Sequence, residues 1–475
     1  MKVAFVTPRY GADIPEGAEH ACRLLAERVC LRHEVEVLTT CARDPPTWRN
    51  EYSETSDRVR GVLVRRFAVN QVRDDDVFQR LSSRVLAEPH NRADSEEWVR
   101  ALGPSSPGLI DFLKRQNRAY DAVVFFSLHH ATTVQGIAVA PARSVVFPYV
   151  TLDPTLRLSI WSEVLGSARA VGYVSAAERD LVHRYLRLFP TAEDVVGIGV
   201  DIPEPETYPR HQQDPADTLV RDADEGVAPE EPVLVPDYLS GRGIPFRRRH
   251  RLHGPFAIYS GRVDSRNGCE EMLEYFDSAL TADCEPALVL MGVKLMKIPE
   301  AAYIRMAGVA SDRERLMAYE AAEVTLAPGP DDILAQPVLE SFAAGTPVLA
   351  AARNAAAVEH CRRANAGLCY ATREEFAESL QLMMSNPQMR ERLGENGRQY
   401  IRQHHRWDVV MARFERLVKR LPRREVAEQN KRRSLLSRQL RRRTGVTGRF
   451  GRLLWLPPPH DSVFLPPRSD SVPLN

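Results

Sequence analysis

The sequence predicts an α/β protein built from two Rossmann-like parallel-sheet domains that face each other across a cleft. Three observations carry that prediction. The first forty residues run strand, loop, helix, strand. The same alternation restarts at Phe256, and a stretch dominated by Pro, Asp and Glu separates the two halves.

The elements justify it in order. Val3-Ala4-Phe5-Val6 is a short apolar run ending at Thr7-Pro8-Arg9, right for a buried strand and too short for a signal-peptide core. Residues 10–17 read as a loop, and Ala21, Leu24, Leu25 and Val29 then recur at helical spacing. Residues 34–40 form the next strand, which completes a βαβ unit and demands a parallel sheet. Apolar runs at 62–69, 122–126, 145–150, 170–174 and 195–200 continue the pattern. The polar, helix-rich stretch 73–107 reads as an insertion over the first domain. Its acidic run Asp74-Asp75-Asp76 has no strand before it, so a solvated face is expected there rather than a metal site.

Residues 201–251 read as a linker, with Pro203-Glu204-Pro205-Glu206 at one end and Phe246-Arg247-Arg248-Arg249 at the other. The second domain, 252–420, has strands predicted at 256–263, 287–293, 304–309, 324–327 and 347–350, with helices at 269–279 and 312–322. Ligands of such folds bind outside the carboxyl ends of the strands. After Arg420 the chain turns basic, then Pro-rich, and reads as a disordered tail over 421–475. Such a tail is either solvated or a contact for anionic lipid.

Composition sets bounds on function. The chain has 475 residues, 44% hydrophobic and 27% charged, with net charge +1, which argues against a nucleic-acid partner. Seven cysteines show no C-x-x-C spacing, as expected of buried thiols in a reducing compartment. No run approaches the ~20 apolar residues of a spanning helix. The expected location is cytoplasmic, with peripheral membrane contact through the tail as an option. G-x-S-x-G, H-E-x-x-H and a Walker loop are absent, which removes hydrolase, zincin and P-loop chemistry.

The segment 328–350, PGPDDILAQPVLESFAAGTPVLA, places two acids, Asp332 and Glu340, eight residues apart between a strand and a Gly345-Thr346-Pro347 turn. Here the chain resembles the retaining family-4 glycosyltransferases (glycosyl transferases group 1), proteins of GT-B fold. The resemblance extends from Met1 to about Lys419. It implies a hexosyl transfer from a nucleotide-sugar donor to a glycan or lipid-linked acceptor, with retention, no metal and no other cofactor. By the same resemblance Asp332 contacts donor-sugar hydroxyls, Glu340 holds the ribose, and the turn through Gln336 and Pro337 serves phosphate. Carboxylates suit paired hydroxyls because they accept strong hydrogen bonds.

Four further segments fit with alterations. Residues 261–268 match the family's G-R-x-x-x-x-K-G, with Arg262 in place for the donor diphosphate and Asn267 where a lysine is expected. A lost charge-assisted contact is worth about 1.5–3 kcal/mol, unless Arg266 substitutes. The loop ending in Glu16-Gly17-Ala18-Glu19 matches G-G-x-E except for Glu16. In residues 147–154 Thr151 stands at the position of the family's histidine, and His129 or His130 is a candidate replacement from a neighbouring loop. Pro337 lacks the N–H that its neighbours offer. Support outside the cleft comes from Ser175-Ala176-Ala177-Glu178, from 195–201, and from 396–407, which resembles the family's returning C-terminal helix.

Three readings remain open. One is a glycosyltransferase with Arg262, Thr151 and Asp332 at the reaction and Gly17, Arg262, Asn267, Asp332, Gln336 and Glu340 binding the donor. Another is a catalytically weakened homologue that binds a nucleotide, glycan or partner. A basic-tailed adaptor is the third.

Overall fold

A computed structural model describes residues 1–14, 17–87, 89–186, 192–202, 243–281, 285–330 and 332–421. Glu16, Cys284, most of the expected linker (203–242) and the expected tail from 422 onward lie outside the described residues. Met1–Pro422 forms one compact unit.

The first half runs β1 (Lys2–Val6), α1 (Gly17–Cys30), β2 (Glu34–Thr40), β3 (Ser56–Val59), β4 (Val62–Phe67), α2 (Asp75–Ala87), α3 (Arg92–Leu102), α4 (Pro107–Gln116), β5 (Ala122–Phe126), α5 (Ala131–Val139), β6 (Ser144–Phe147), α6 (Trp161–Ser167), β7 (Ala170–Tyr173), α7 (Ala176–Leu186) and β8 (Glu193–Val195). Its sheet has the order β3-β4-β2-β1-β5-β6-β7-β8. Every pairing is parallel except β3 with β4. The apolar run of β1 is central and fully buried because helices cover both faces of such a sheet. From β1 the chain turns first to β2 on one side and later to β5 on the other. The loops after β1 and β5 therefore diverge and leave a crevice.

The second half runs α8 (Ile244–His250), β9 (Phe256–Ser260), α9 (Cys269–Ala279), β10 (Ala287–Met291), β11 (Ile304–Gly308), α10 (Asp312–Ala321), β12 (Val324–Ala327), α11 (Gln336–Ala344), β13 (Val348–Ala351), α12 (Ala355–Ala364), β14 (Gly367–Tyr370), α13 (Arg373–Ser385), α14 (Pro387–His404) and α15 (Trp407–Lys419). Its six strands lie in the order β11-β10-β9-β12-β13-β14, all parallel. Here the reversal falls between β9 and β12, so the loops following those two strands flank the second crevice.

Helix α15 joins the halves. Val410, Met411, Phe414, Leu417 and Val418 are buried at helical spacing, and the Phe414 ring stacks on Phe5 of β1 at 6.0 Å. One apolar cluster accordingly contains Val3 and Phe5 together with Val338 and Phe342 of α11.

Several segments differ from the sequence expectation. The strand expected at 195–200 ends at Val195; beyond it, Val200 donates its N–H to the His405 carbonyl at 2.8 Å, so the backbone there pairs with the α14–α15 junction instead of a strand. The arginine run expected in the linker belongs to α8. Arg247 is buried and donates to the Gly254 and Ala321 carbonyls and to Glu323. The helix-rich stretch expected over the first domain is present as α2 and α3 and, with α4, packs on the sheet, since Phe78, Val85, Trp98 and Leu113 share a buried cluster with Val6 and Leu38. Strands β3 and β14 are short and were not read from the sequence.

If α15 fastens the first sheet, Phe414→Ala destabilises the protein by about 3–5 kcal/mol, measured as a fall in the urea-unfolding midpoint. Leu382→Ala, at a residue 46% exposed, shifts the same midpoint by no more than about 0.5 kcal/mol.

Candidate functional site

Three loops of the second half converge where the sheet order reverses. Gly261, with φ +149°, ends β9, and its carbonyl lies 2.0 Å from where a Cβ on Gly292 would stand. Only glycine permits that approach between the β9 and β10 loops. Residues 262–268 then close on themselves. The Arg262 carbonyl accepts from Tyr259 Oη at 2.8 Å and from Asn267 Nδ2 at 3.1 Å. Asp264 Oδ1 accepts the Asn267 N–H at 2.8 Å. The Arg262 side chain is 43% exposed, with Nε 3.5 Å from Asp264. Asn267 thus stitches its own loop, while Arg262 keeps an exposed guanidinium at the end of β9.

The loop after β12 lies beside it, with the Asn267 carbonyl 3.3 Å from the Cβ position of Gly329. Asp332 Oδ1 accepts the Ala335 N–H at 2.8 Å. Burial raises the Asp332 pKa, and hydrogen bonds from the Ala335 and Leu334 amides oppose the rise. The carboxylate consequently draws on amides of the same turn that a phosphate would seek. Ala335 holds φ +47°, and α11 begins with Gln336 and Pro337, the latter suited to a first helical turn.

One turn into α11, Glu340 is 6% exposed. Gln336 Nε2 donates to its Oε1 at 2.8 Å. Arg315 of α10 donates from Nε to Oε2 at 2.6 Å and from Nη2 to Oε1 at 2.9 Å. No sequence signal singled out Arg315, which lies 25 residues from its partner.

The first half contributes the loop after β1 and the start of α1. Gly17 has φ +78°, a left-handed conformation that favours glycine. Two residues on, buried Glu19 accepts from Arg9 Nε at 3.0 Å. The next side chain, His20, meets Arg23 Nη2 with its Nδ1 at 3.1 Å and feels the charges of Arg315 and Asp312 in the second half. Burial, reinforced by Arg23 and Arg315, lowers its pKa to about 4, so the ring is neutral at physiological pH.

After β6, Thr151 Oγ1 donates to Asp153 Oδ2 at 2.9 Å. Asp153 also accepts from Thr155, whose hydroxyl lies 2.8 Å from His129 Nε2. The sequence named Thr151 and His129 separately, and the structure joins them in one hydrogen-bonded chain. His129 is set edge-on to Trp161, and burial lowers its pKa against the pull of Asp153. His130 instead meets Ser127 Oγ at 2.9 Å and the edge of Trp48. Burial first, then His129, Arg9 and Arg73, depress it to about 3.

Glu178, in the first turn of α7, anchors this loop. Its Oε1 accepts the Val150 N–H at 3.2 Å and its Oε2 the Val174 N–H at 2.8 Å. The carboxylate therefore ties the end of β7 to the loop that carries Thr151. Asp74 and Asp75, by contrast, serve α2: Asp74 accepts the Val77 N–H and Asp75 pairs with Arg73.

The sequence model of the family described as Glycosyl transferases group 1 matches residues 244–400. No curated protein matches the chain. Sucrose-phosphate synthase from Thermosynechococcus elongatus is 15% identical, with a TM-score of 0.57 over 88% of this chain and 98% of that one. HepE of Anabaena, solved in complex with UDP-glucose, is 13% identical, with a TM-score of 0.60 over 88% and 100%. The alpha,alpha-trehalose 6-phosphate synthase of Burkholderia multivorans is 13% identical, with a TM-score of 0.55 over 88% and 97%. These likenesses are of fold, and the chain has the GT-B fold. No helix among the described residues is long and apolar enough to cross a membrane.

Glu178 gives the site a pH signature. Burial raises its pKa from 4.5 to about 7, outweighing the amides of Val174, Val150 and Tyr149 that favour the charged form. A carboxyl whose folded pKa is raised stabilises the fold below its unfolded pKa and loses that contribution as pH rises through the folded one. Urea unfolding of wild type and Glu178→Gln at pH 4.5 to 8 checks this. The wild-type stability relative to the variant falls by about 3 kcal/mol across the window; a flat difference rejects the assignment.

Proposed function

We propose that the chain is a glycosyltransferase that moves a sugar from a nucleotide-sugar donor to a glycan or lipid-linked acceptor held by the loops of the first sheet. The observation that supports it is the convergence of Arg262, Asp332 and Glu340 on the β9–β12 crevice, inside the segment matched by the group 1 family. HepE, which shares the fold, binds UDP-glucose in its solved complex, in keeping with a nucleotide-sugar ligand.

The chemistry we assign is that of a retaining family-4 enzyme working without a metal. Arg262, exposed at the end of β9, stabilises the charge that develops on the leaving diphosphate. The donor phosphate itself takes the acceptor proton, so no carboxylate nucleophile is needed. Glu340 presents two oxygens to the ribose, Asp332 faces the donor sugar, and Gly17 lets the β1 loop approach. Thr151 borders the acceptor side, held through Asp153 and Thr155.

A second reading, a weakened homologue that binds nucleotide or glycan, is favoured by specific contacts. The Asn267 amide is committed to the Arg262 carbonyl, Asp332 to the amide of Ala335, and the Thr151 hydroxyl to Asp153.

The two separate in one assay. With UDP-, GDP- and ADP-sugars and a panel of glycan and lipid-linked acceptors, the transferase releases nucleoside diphosphate, and Arg262→Ala lowers kcat by about 10²–10³. The transferred sugar keeps its anomeric configuration by NMR, and EDTA leaves the rate unchanged. Calorimetric binding of a nucleoside diphosphate without any turnover selects the second reading.

A further inference from the structure

We propose that Arg315 occupies the ribose-recognition fork of Glu340, so that a nucleotide enters the donor site by displacing a guanidinium that belongs to the protein. The inference rests on reading the β9–β12 crevice as a nucleotide site, and it adds a residue that decides how tightly that site binds.

The position of Arg315 follows from local structure. Ser311 and Glu314 form a reciprocal capping box that fixes the start of α10. Arg315 follows directly, in the first turn, and reaches Glu340, one turn into α11. Its Nε and Nη2 meet the two oxygens of Glu340 at 2.6 and 2.9 Å. The two side chains are 24% and 8% exposed, so this is a shielded, bidentate pair and not a loose surface contact.

A ribose presents the same face to a carboxylate. Its vicinal hydroxyls offer two roughly parallel O–H donors, as a guanidinium edge offers two parallel N–H donors. One two-oxygen fork serves one such edge at a time. Gln336 Nε2 takes a further lone pair on Oε1 at 2.8 Å, leaving about one of the four acceptor positions. Arg315 cannot leave by losing its proton, because a guanidinium stays charged in proteins. It has to swing away.

A second carboxylate stands ready for the displaced arm. Arg315 Nη2 lies 3.0 Å from Asp312 Oδ1, and the Asp312 side chain is 78% exposed. In one pose the arm therefore touches both carboxylates, and on leaving Glu340 it can keep its solvated contact with Asp312. His20, from the first half of the molecule, lies near enough to feel the charges of both Arg315 and Asp312.

Calorimetric titration with UDP, GDP and ADP, and with the 2′,3′-dideoxy form of whichever binds best, tests the assignment. Arg315→Ala is expected to bind that nucleoside diphosphate at least about tenfold more tightly than wild type, while the dideoxy form gains nothing. Adding Glu340→Ala to Arg315→Ala erases the gain. Melting curves monitor folding, and Arg315→Gln, which keeps a polar head but loses the double-donor edge, gives a severalfold gain if the alanine variant does not fold. Unchanged or weaker binding in the folded variant, or an equal gain for the dideoxy form, overturns the proposal and leaves the transferase reading standing. Failure of wild type and variants to bind any of the three overturns both.

Discussion

The return of α15 to the first sheet is the constraint on which the site depends. Phe414 stacks on Phe5 of the central strand, and the His405 carbonyl pairs with Val200. Each parallel sheet alone would bury its faces with its own helices and leave a crevice at its switch point. What makes the two crevices into one cleft is the apolar continuity from β1 through α15 to α11. Helix α11 carries Gln336 and Glu340, so the helix that fastens the halves shares a core with the helix that carries the donor groups. Contacts such as that of the Ala177 N–H with Glu359 at 2.7 Å then fall into reach between the halves. They are consequences of that fastening more than causes of it, since single polar contacts contribute little net stability.

Inside the cleft, almost every polar group assigned to the donor has a protein partner. Asp332 takes the amides of its own turn, Asn267 takes the Arg262 carbonyl, and Glu340 takes Arg315 and Gln336. Buried or half-buried polar groups must be paired, so an unliganded site satisfies itself where its geometry allows. The pairings differ in what a ligand has to undo. Asp332 bonds neighbours in its own turn, and a donor reaching it must compete for short-range backbone contacts. Glu340 is held by a cation from another helix, and that contact is bidentate and shielded. For the donor orientation proposed above, the heaviest competition therefore falls at the nucleoside end and not at the sugar.

The legible part of the fold was the part written in short-range pattern. Apolar runs of four or five residues located β1, β5, β9 and β12, and the glycine-proline turn before β13 marked the end of α11. Asp332 and Glu340 stood out through the family resemblance of one segment, in which strand, turn and helix hold them at a fixed spacing. Strand β3 was not, since it is an exposed antiparallel edge with one partially buried residue, Val59, and no apolar run. Arg247 was misread for a related reason. Three successive arginines look solvated, yet the phase of α8 turns one of them inward onto Glu323 and the Ala321 carbonyl.

Arg315 shows where pattern reading ends. Within α10 its sequence context, Asp312-Arg313-Glu314-Arg315, looks like the outer face of a solvated helix. The side chain reaches Glu340 only because β12 runs parallel to both β9 and β13, so that α10 and α11, the helices before and after it, pack against each other. A parallel sheet fixes that adjacency, and a capping box fixes the phase of α10 to within a residue. A one-residue shift of that cap rotates Arg315 by about 100° and takes the guanidinium off Glu340. The proposed nucleotide site is therefore shaped by the cap of a helix outside the segment 328–350 that carries its motif.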